Sequence, residues 1–213
     1  MNDTAKDARF WDKLARKYAK GPIADVEGYE RTLEATRRRL RSSDNVLEFG
    51  AGTGTTALKL APSVARYTAS DISGEMIAIG REKAVAEGCA NVAFEQATMD
   101  DPPWPEGSFD AVLAFNVLHL IKDRTPVLAN VRRLLKPGGL FISKTPGLSD
   151  MGPLIPVMVF GLRLIGKAPT VSFFRAAALE RQIEAAGFAI EERALHKSKG
   201  RDTRPFLVAR RSA

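Results

Sequence analysis

The 213-residue chain has the length of one compact unit, and its 45% hydrophobic and 27% charged residues are those of a globular protein, not a disordered or fibrous one. A net charge of +7 favours anionic partners in a general way, with basic residues gathered at Arg37-Arg38-Arg39-Leu40-Arg41 and between Lys197 and Arg211. The single cysteine, Cys89, excludes an internal disulfide framework and fits a reducing compartment.

No apolar run follows the charges of the N-terminus, so no secretory signal is expected. The most apolar stretch, Met151 to Phe160, is broken by Gly152, Pro153 and Pro156 and falls short of the ~20 residues of a spanning helix. A cytoplasmic location is the expectation.

Phe10, Trp11, Leu14 and Tyr18 recur at helical spacing until Gly21-Pro22 breaks the run. This stripe reads either as helix packing or as a lid over a ligand. A second helix is predicted from Val26 to Leu40, with Asp25 able to cap it. From Asn45 the pattern changes to alternating strands and helices. Strands are expected at Val46–Phe49, Arg66–Ser70, Val92–Glu95, Ala111–Phe115 and Leu140–Ser143. Helices are expected at Thr55–Ala61, Gly74–Glu87 and Thr125–Leu135, and Lys136-Pro137-Gly138-Gly139 reads as a turn.

An irregular apolar insertion, 146–170, follows and is expected to cap a substrate pocket. Its Arg163 and Lys167 would let an edge meet an anionic membrane surface. A helix from Ser172 to Ala186 should end at Gly187, and strands at Ala189–Leu195 and Pro205–Arg210 should form a closing hairpin. The predicted fold is α/β: a Rossmann-like, seven-stranded, mostly parallel sheet with an antiparallel C-terminal hairpin strand and helices on both faces. Residues 1–44 form a helical lid and 45–213 the core.

The chemistry centres on Val46-Leu47-Glu48-Phe49-Gly50-Ala51-Gly52-Thr53-Gly54, an apolar strand running into glycines before a helix begins at Thr55. In open α/β sheets ligands bind at the carboxyl ends of strands, and glycines let the backbone approach them. Asp71, ending the second strand, can accept hydrogen bonds from ribose hydroxyls. A dinucleotide fingerprint would place its third glycine at position 55, where this chain has Thr55; Gly54 comes one residue early. Glu48 would repel a pyrophosphate but suits a ligand bearing an ammonium and a sulfonium. The charge pattern favours S-adenosylmethionine over NAD.

At these residues the chain resembles the class I methyltransferases, especially the branch related to ubiquinone/menaquinone biosynthesis. The likeness extends through Asp71-Ile72-Ser73 with Met76, Pro105-Glu106-Gly107-Ser108-Phe109-Asp110, Phe115-Asn116-Val117-Leu118-His119 and Leu134-Leu135-Lys136-Pro137-Gly138-Gly139. The resemblance implies that Gly50, Ala51 and Gly52 line the methionine portion of S-adenosylmethionine, with Glu48 supporting that loop or the ammonium. It implies Asp71 on the ribose, Ile72 and Met76 against the adenine, Asn116 near the methyl end and Tyr18 as an aromatic lid residue. Where the family has Gly-Asp-Ala after the third strand, this chain has Ala97-Thr98-Met99. Thr98 and the backbone at Met99 are then left to meet the adenine, with Asp100 as a substitute acid.

His119 reads either as a general base or as a structural histidine, and His196 as a surface residue. With two histidines and one cysteine, no metal-ligand cluster presents itself. Asp101-Pro102-Pro103-Trp104 matches the tetrapeptide of amino-directed nucleic-acid methyltransferases, but here it precedes the fourth strand instead of following it. The expected activity is methyl transfer to a small, apolar or aromatic metabolite or lipid-like acceptor. An RNA methyltransferase and a non-catalytic cofactor-binding protein are the alternatives.

Overall fold

The computed structural model describes residues 3–152, 154, 158, 169–200 and 202–212. Two helices, α1 (Asp3–Ala19) and α2 (Val26–Arg37), precede β1 (Asn45–Phe49), α3 (Thr55–Leu60) and β2 (Arg66–Asp71). Then come α4 (Gly74–Glu87), β3 (Val92–Gln96), β4 (Phe109–Phe115), α5 (Arg124–Leu134) and β5 (Leu135–Lys144). The chain closes with α6 (Ala176–Ala185), β6 (Phe188–Ala194) and β7 (Phe206–Arg211).

The seven strands form one sheet in the order β3-β2-β1-β4-β5-β7-β6. β7 pairs antiparallel with both β5 and β6, and every other pairing is parallel. Alternation along the strands sorts side chains to two cores, as a sheet buried on both faces requires. Leu47, Val112, Phe141 and Leu207 face α5 and α6, where Val131, Leu134, Leu179 and Ile183 meet them. Val46, Leu113, Ile142 and Val208 face the opposite layer of Leu33, Leu58, Leu60 and Ile77. Each such fully buried side chain contributes roughly 1.5–3 kcal/mol of transfer free energy.

The strand order reverses beside β1, whose neighbours are β2 and β4, so the crevice beyond the carboxyl ends of β1 and β4 is the switch point of the sheet.

Several boundaries differ from the sequence expectation. The Lys136–Gly139 turn is absorbed into β5 as an irregularity, with Phe109 opposite Leu135 and Ala111 already opposite Leu140, while Gly138 takes φ 73°. α2 ends at Arg37, and Arg39 and Leu40 follow in tighter turns with Arg39 drawn to Glu192. α6 begins at Ala176, after the extended Arg175, and Ser172 is tied down ahead of it, its N–H donating to His119 O and its hydroxyl to Ile121 O. His196 is buried, not on the surface. It hydrogen-bonds Thr32 of α2 through Nδ1 at 3.0 Å and lies against the Phe206 ring. Of the expected cap, 153, 155–157 and 159–168, with Arg163 and Lys167, lie outside the described residues.

α1 is fastened across α4. Asp12 Oδ1 accepts from the Ser73 hydroxyl at 2.6 Å and from the Glu75 amide, and Arg16 meets Glu82 with both guanidinium nitrogens. Ala15 packs on Met76 and Ile79 between those polar contacts.

Candidate active site

A cavity of about 910 Å³ opens at the switch point, between the strand ends and α1. Its volume suits a cofactor-sized ligand. Tyr18, Glu48, Gly50, Ala51, Gly52, Asp71, Ile72, Met76, Thr98, Met99 and Asn116 all line it. The residues singled out for the cofactor, spread over a hundred positions of sequence, are thus brought to one wall.

The glycine loop is shaped by its neighbours. Gly50 has φ 65°, and a Cβ there would lie 2.4 Å from Val117 Cγ2, so the loop after β1 passes tightly against the segment after β4. Gly54, with φ 74°, begins α3 and faces Gly80 of α4 across the Phe94 ring. A Cβ on either glycine would enter that ring, at 2.4 Å and 2.3 Å. This is the physical reason for a glycine one position earlier than in the dinucleotide pattern. Lys83 steadies the same turn by donating to the hydroxyls of Thr53 and Thr55.

Asp71 joins loop and strand. Its Oδ2 accepts from the Gly52 amide and its Oδ1 from the Ser73 amide, both at 2.9 Å. Burial raises its pKa and these backbone donors partly offset the rise. Glu48 lies behind the loop, 2% exposed, with Oε2 accepting from the Tyr67 hydroxyl at 2.7 Å. Burial first and the Asp71 carboxylate second raise this carboxyl, the Tyr67 hydrogen bond offsets part of the rise, and the result is about 7. A cation reaching this wall would meet a carboxyl ready to ionise.

Thr98 and Asp100 form a small polar group at the other end. The Thr98 hydroxyl bonds Asp100 Oδ2 at 3.3 Å, the Asp100 amide returns a bond to Thr98 Oγ1, and Thr4 of α1 donates to the same Oδ2. Asn116 holds φ 53°, a left-handed conformation rare outside glycine, while its amide bonds Lys144 O at 2.8 Å. That bend turns its side chain into the cavity mouth, where it is exposed.

His119 stands apart. It is not among the described residues of the wall, its Nδ1 is buried with no hydrogen-bond partner, and burial lowers its pKa to about 4. Its carbonyl anchors Ser172 instead. The Asp101–Trp104 segment packs on the α5 side of the sheet, with Arg133 donating to Pro102 O and Trp104 O, and Trp104 is edge-on to Phe109 at the start of β4 and donates to Glu95.

Sequence reading missed Tyr29 and Thr56, which line the cavity with their hydroxyls 3.3 Å apart. Tyr29 stands one turn ahead of the buried Leu33, so the i, i+4 spacing on α2 held the available signal. The remaining wall is mostly apolar, including Leu14, Val117, Leu120, Ile121 and Val127.

The strand order, the reversal beside β1 and the site at that reversal define the class I, Rossmann-like methyltransferase fold. Over residues 46–139 the chain matches the family described as methyltransferase domain. The ubiquinone/menaquinone biosynthesis C-methyltransferase of Francisella tularensis subsp. novicida (strain U112) is 33% identical over 123 residues, which are 56% of this chain and 48% of that protein. The uncharacterized methyltransferase YcgJ of Bacillus subtilis (strain 168) is 33% identical over 117 residues, 55% of this chain and 46% of that protein. The YcgJ crystal structure superposes with a TM-score of 0.65 at 25% identity, covering 78% of this chain and 72% of that one.

Magnesium protoporphyrin IX methyltransferase from Synechocystis PCC 6803, solved with bound SAH, gives a TM-score of 0.75 at 18% identity over 99% of this chain and 100% of that one, a likeness of fold alone. The chain spans about half the length of the curated relatives it matches. It resembles the class I S-adenosylmethionine-dependent methyltransferases, and among them those of ubiquinone/menaquinone biosynthesis.

Proposed function

We propose that this chain is an S-adenosylmethionine-dependent methyltransferase acting on a small, apolar or aromatic acceptor. The observation that carries the reading is the meeting of the glycine loop, Asp71, Ile72, Met76 and Asn116 in one cavity. Asp71 would hold the ribose hydroxyls, and Glu48, behind the loop, would favour the ammonium and sulfonium charges. Ile72 and Met76 would pack on the adenine, with Thr98 and the Met99 backbone at its edge. Tyr18 would cover the site from α1.

Bound S-adenosylmethionine supplies a methyl already activated by its sulfonium. The chain's own part is to bind, orient and exclude water, which the apolar wall of Leu14, Val117, Leu120 and Ile121 is suited to do. The imidazole of His119, buried and held neutral near pH 7, stands off the wall, so an acceptor that is already nucleophilic fits best. Two observations count against an RNA acceptor. Arg37, Arg38 and Arg39 are paired with Glu34, Glu191 and Glu192, and Asp101–Trp104 precedes β4 instead of following it, with Trp104 engaged by Phe109 and Glu95.

The test is a labelled-methyl assay against separate lipid, polar-metabolite and RNA pools. Label is expected in the lipid or apolar-metabolite pool and should be lost with Asp71→Ala. Label confined to RNA would replace the acceptor class. Tight S-adenosylhomocysteine binding with no transfer to any pool would leave a non-catalytic binding protein.

A further inference from the structure

α1 carries three stripes. Ala8, Asp12, Ala15 and Ala19 are on or beside the face against α4, while Asp7, Trp11, Leu14 and Tyr18 line the cavity. Lys6, Lys13 and Lys17 make the third, and Lys20 continues it through the turn that follows the helix. At 3.6 residues per turn these four lysines fall within an arc of about 60°. All four are exposed, and none has an ion-pair partner among the described residues. Two acids of the helix are engaged elsewhere, Asp12 by Ser73 and Asp7 by Thr170.

Lys17 also stands on the cavity rim, beside Tyr18, 58% exposed, and Ile23, 40% exposed. A row of unpaired cations next to protruding apolar side chains is complementary to an anionic bilayer, where headgroups meet the charges and the apolar groups enter the interface. The row offers little to a nucleic acid. Arg9 at its margin turns Nε back onto Ala5 O, and the Phe10 ring is engaged edge-on with Trp11, so no aromatic platform accompanies the lysines.

We propose that the lysine face of α1 docks this protein on anionic membrane surfaces, with the mouth of the cavity turned toward the lipid. The docking needs no particular methyl acceptor and stands apart from the activity proposed above.

The test is co-sedimentation with phosphatidylcholine vesicles containing one-third phosphatidylglycerol, against vesicles of phosphatidylcholine alone. Binding to the anionic vesicles is expected, weakening as salt is added. The triple variant Lys6→Ala/Lys13→Ala/Lys20→Ala should partition about 100-fold more weakly. Its melting temperature and S-adenosylhomocysteine affinity should match the parent; if the variant unfolds, the salt titration of the parent protein decides. Equal binding to neutral vesicles, no loss in the folded variant, or lysine-dependent binding to a poly-uridine probe without vesicle binding would overturn the proposal.

Discussion

Asp71 Oδ2 accepts a hydrogen bond from the Gly52 amide at 2.9 Å, so the carboxylate ending β2 and the glycine loop after β1 are one unit. Asp71→Ala removes that link together with the carboxylate meant for the ribose. Charge-assisted hydrogen bonds contribute about 1.5–3 kcal/mol each, so S-adenosylhomocysteine affinity should fall by about 100-fold in calorimetry. Asp71→Asn keeps an acceptor for Gly52 and should lose less. Near-parental affinity in the alanine variant would remove Asp71 from the ribose role.

Glu48 makes two opposite pH dependences. Its folded-state pKa of about 7 lies above the ordinary carboxylate value of 4.5, so the folded chain holds this proton more tightly than the unfolded one. The resulting stability is present below about pH 4.5 and is lost as pH rises through about 7. The melting temperature of the parent protein should therefore fall relative to Glu48→Gln between about pH 5 and pH 8. A cationic ligand favours the ionised form, so S-adenosylmethionine affinity should rise over the same interval and the rise should vanish in Glu48→Gln. Parallel melting curves for the two proteins across that range would contradict the assignment.

The Phe94 ring between Gly54 and Gly80 predicts a steric cost. Gly54→Ala places a Cβ 2.4 Å from that ring at φ 74°, whereas Gly88→Ala has φ 65° and meets nothing within 4 Å. Gly88→Ala should cost about 1 kcal/mol from backbone strain alone. Gly54→Ala should cost about 2–4 kcal/mol, read by chemical denaturation. Equal losses would mean that the ring is not what excludes a side chain from position 54.

His119→Gln should leave turnover within a few-fold of the parent, because the ring stands off the cavity wall and is neutral at physiological pH. A large loss of turnover at unchanged cofactor affinity would restore it as a base.

What the sequence made legible follows from how local each signal was. The β1 loop, Asp71 and the strand–helix alternation were readable because hydrophobic period and glycine placement are local. The start of α6 was not, since Ser172 is held outside the helix by His119 and Ile121, fifty residues away along the chain. His196 looked like a surface residue because nothing near it announces Thr32, which covers it from α2. Within the Arg37–Arg41 cluster the pairing of Arg39 was hidden, because its partners Glu191 and Glu192 arrive from β6. Tyr29 was passed over for the same reason, since only the docking of α2 beside α3 brings its hydroxyl to Thr56.

Calorimetric titration of the purified protein with S-adenosylhomocysteine and, in parallel, with NAD tests which ligand the cavity takes. One-to-one binding of S-adenosylhomocysteine, weakened by Asp71→Ala, with no heat from NAD, is the predicted result. Binding of NAD in preference would remove S-adenosylmethionine as the ligand of this cavity, and S-adenosylhomocysteine binding untouched by Asp71→Ala would place the ligand elsewhere.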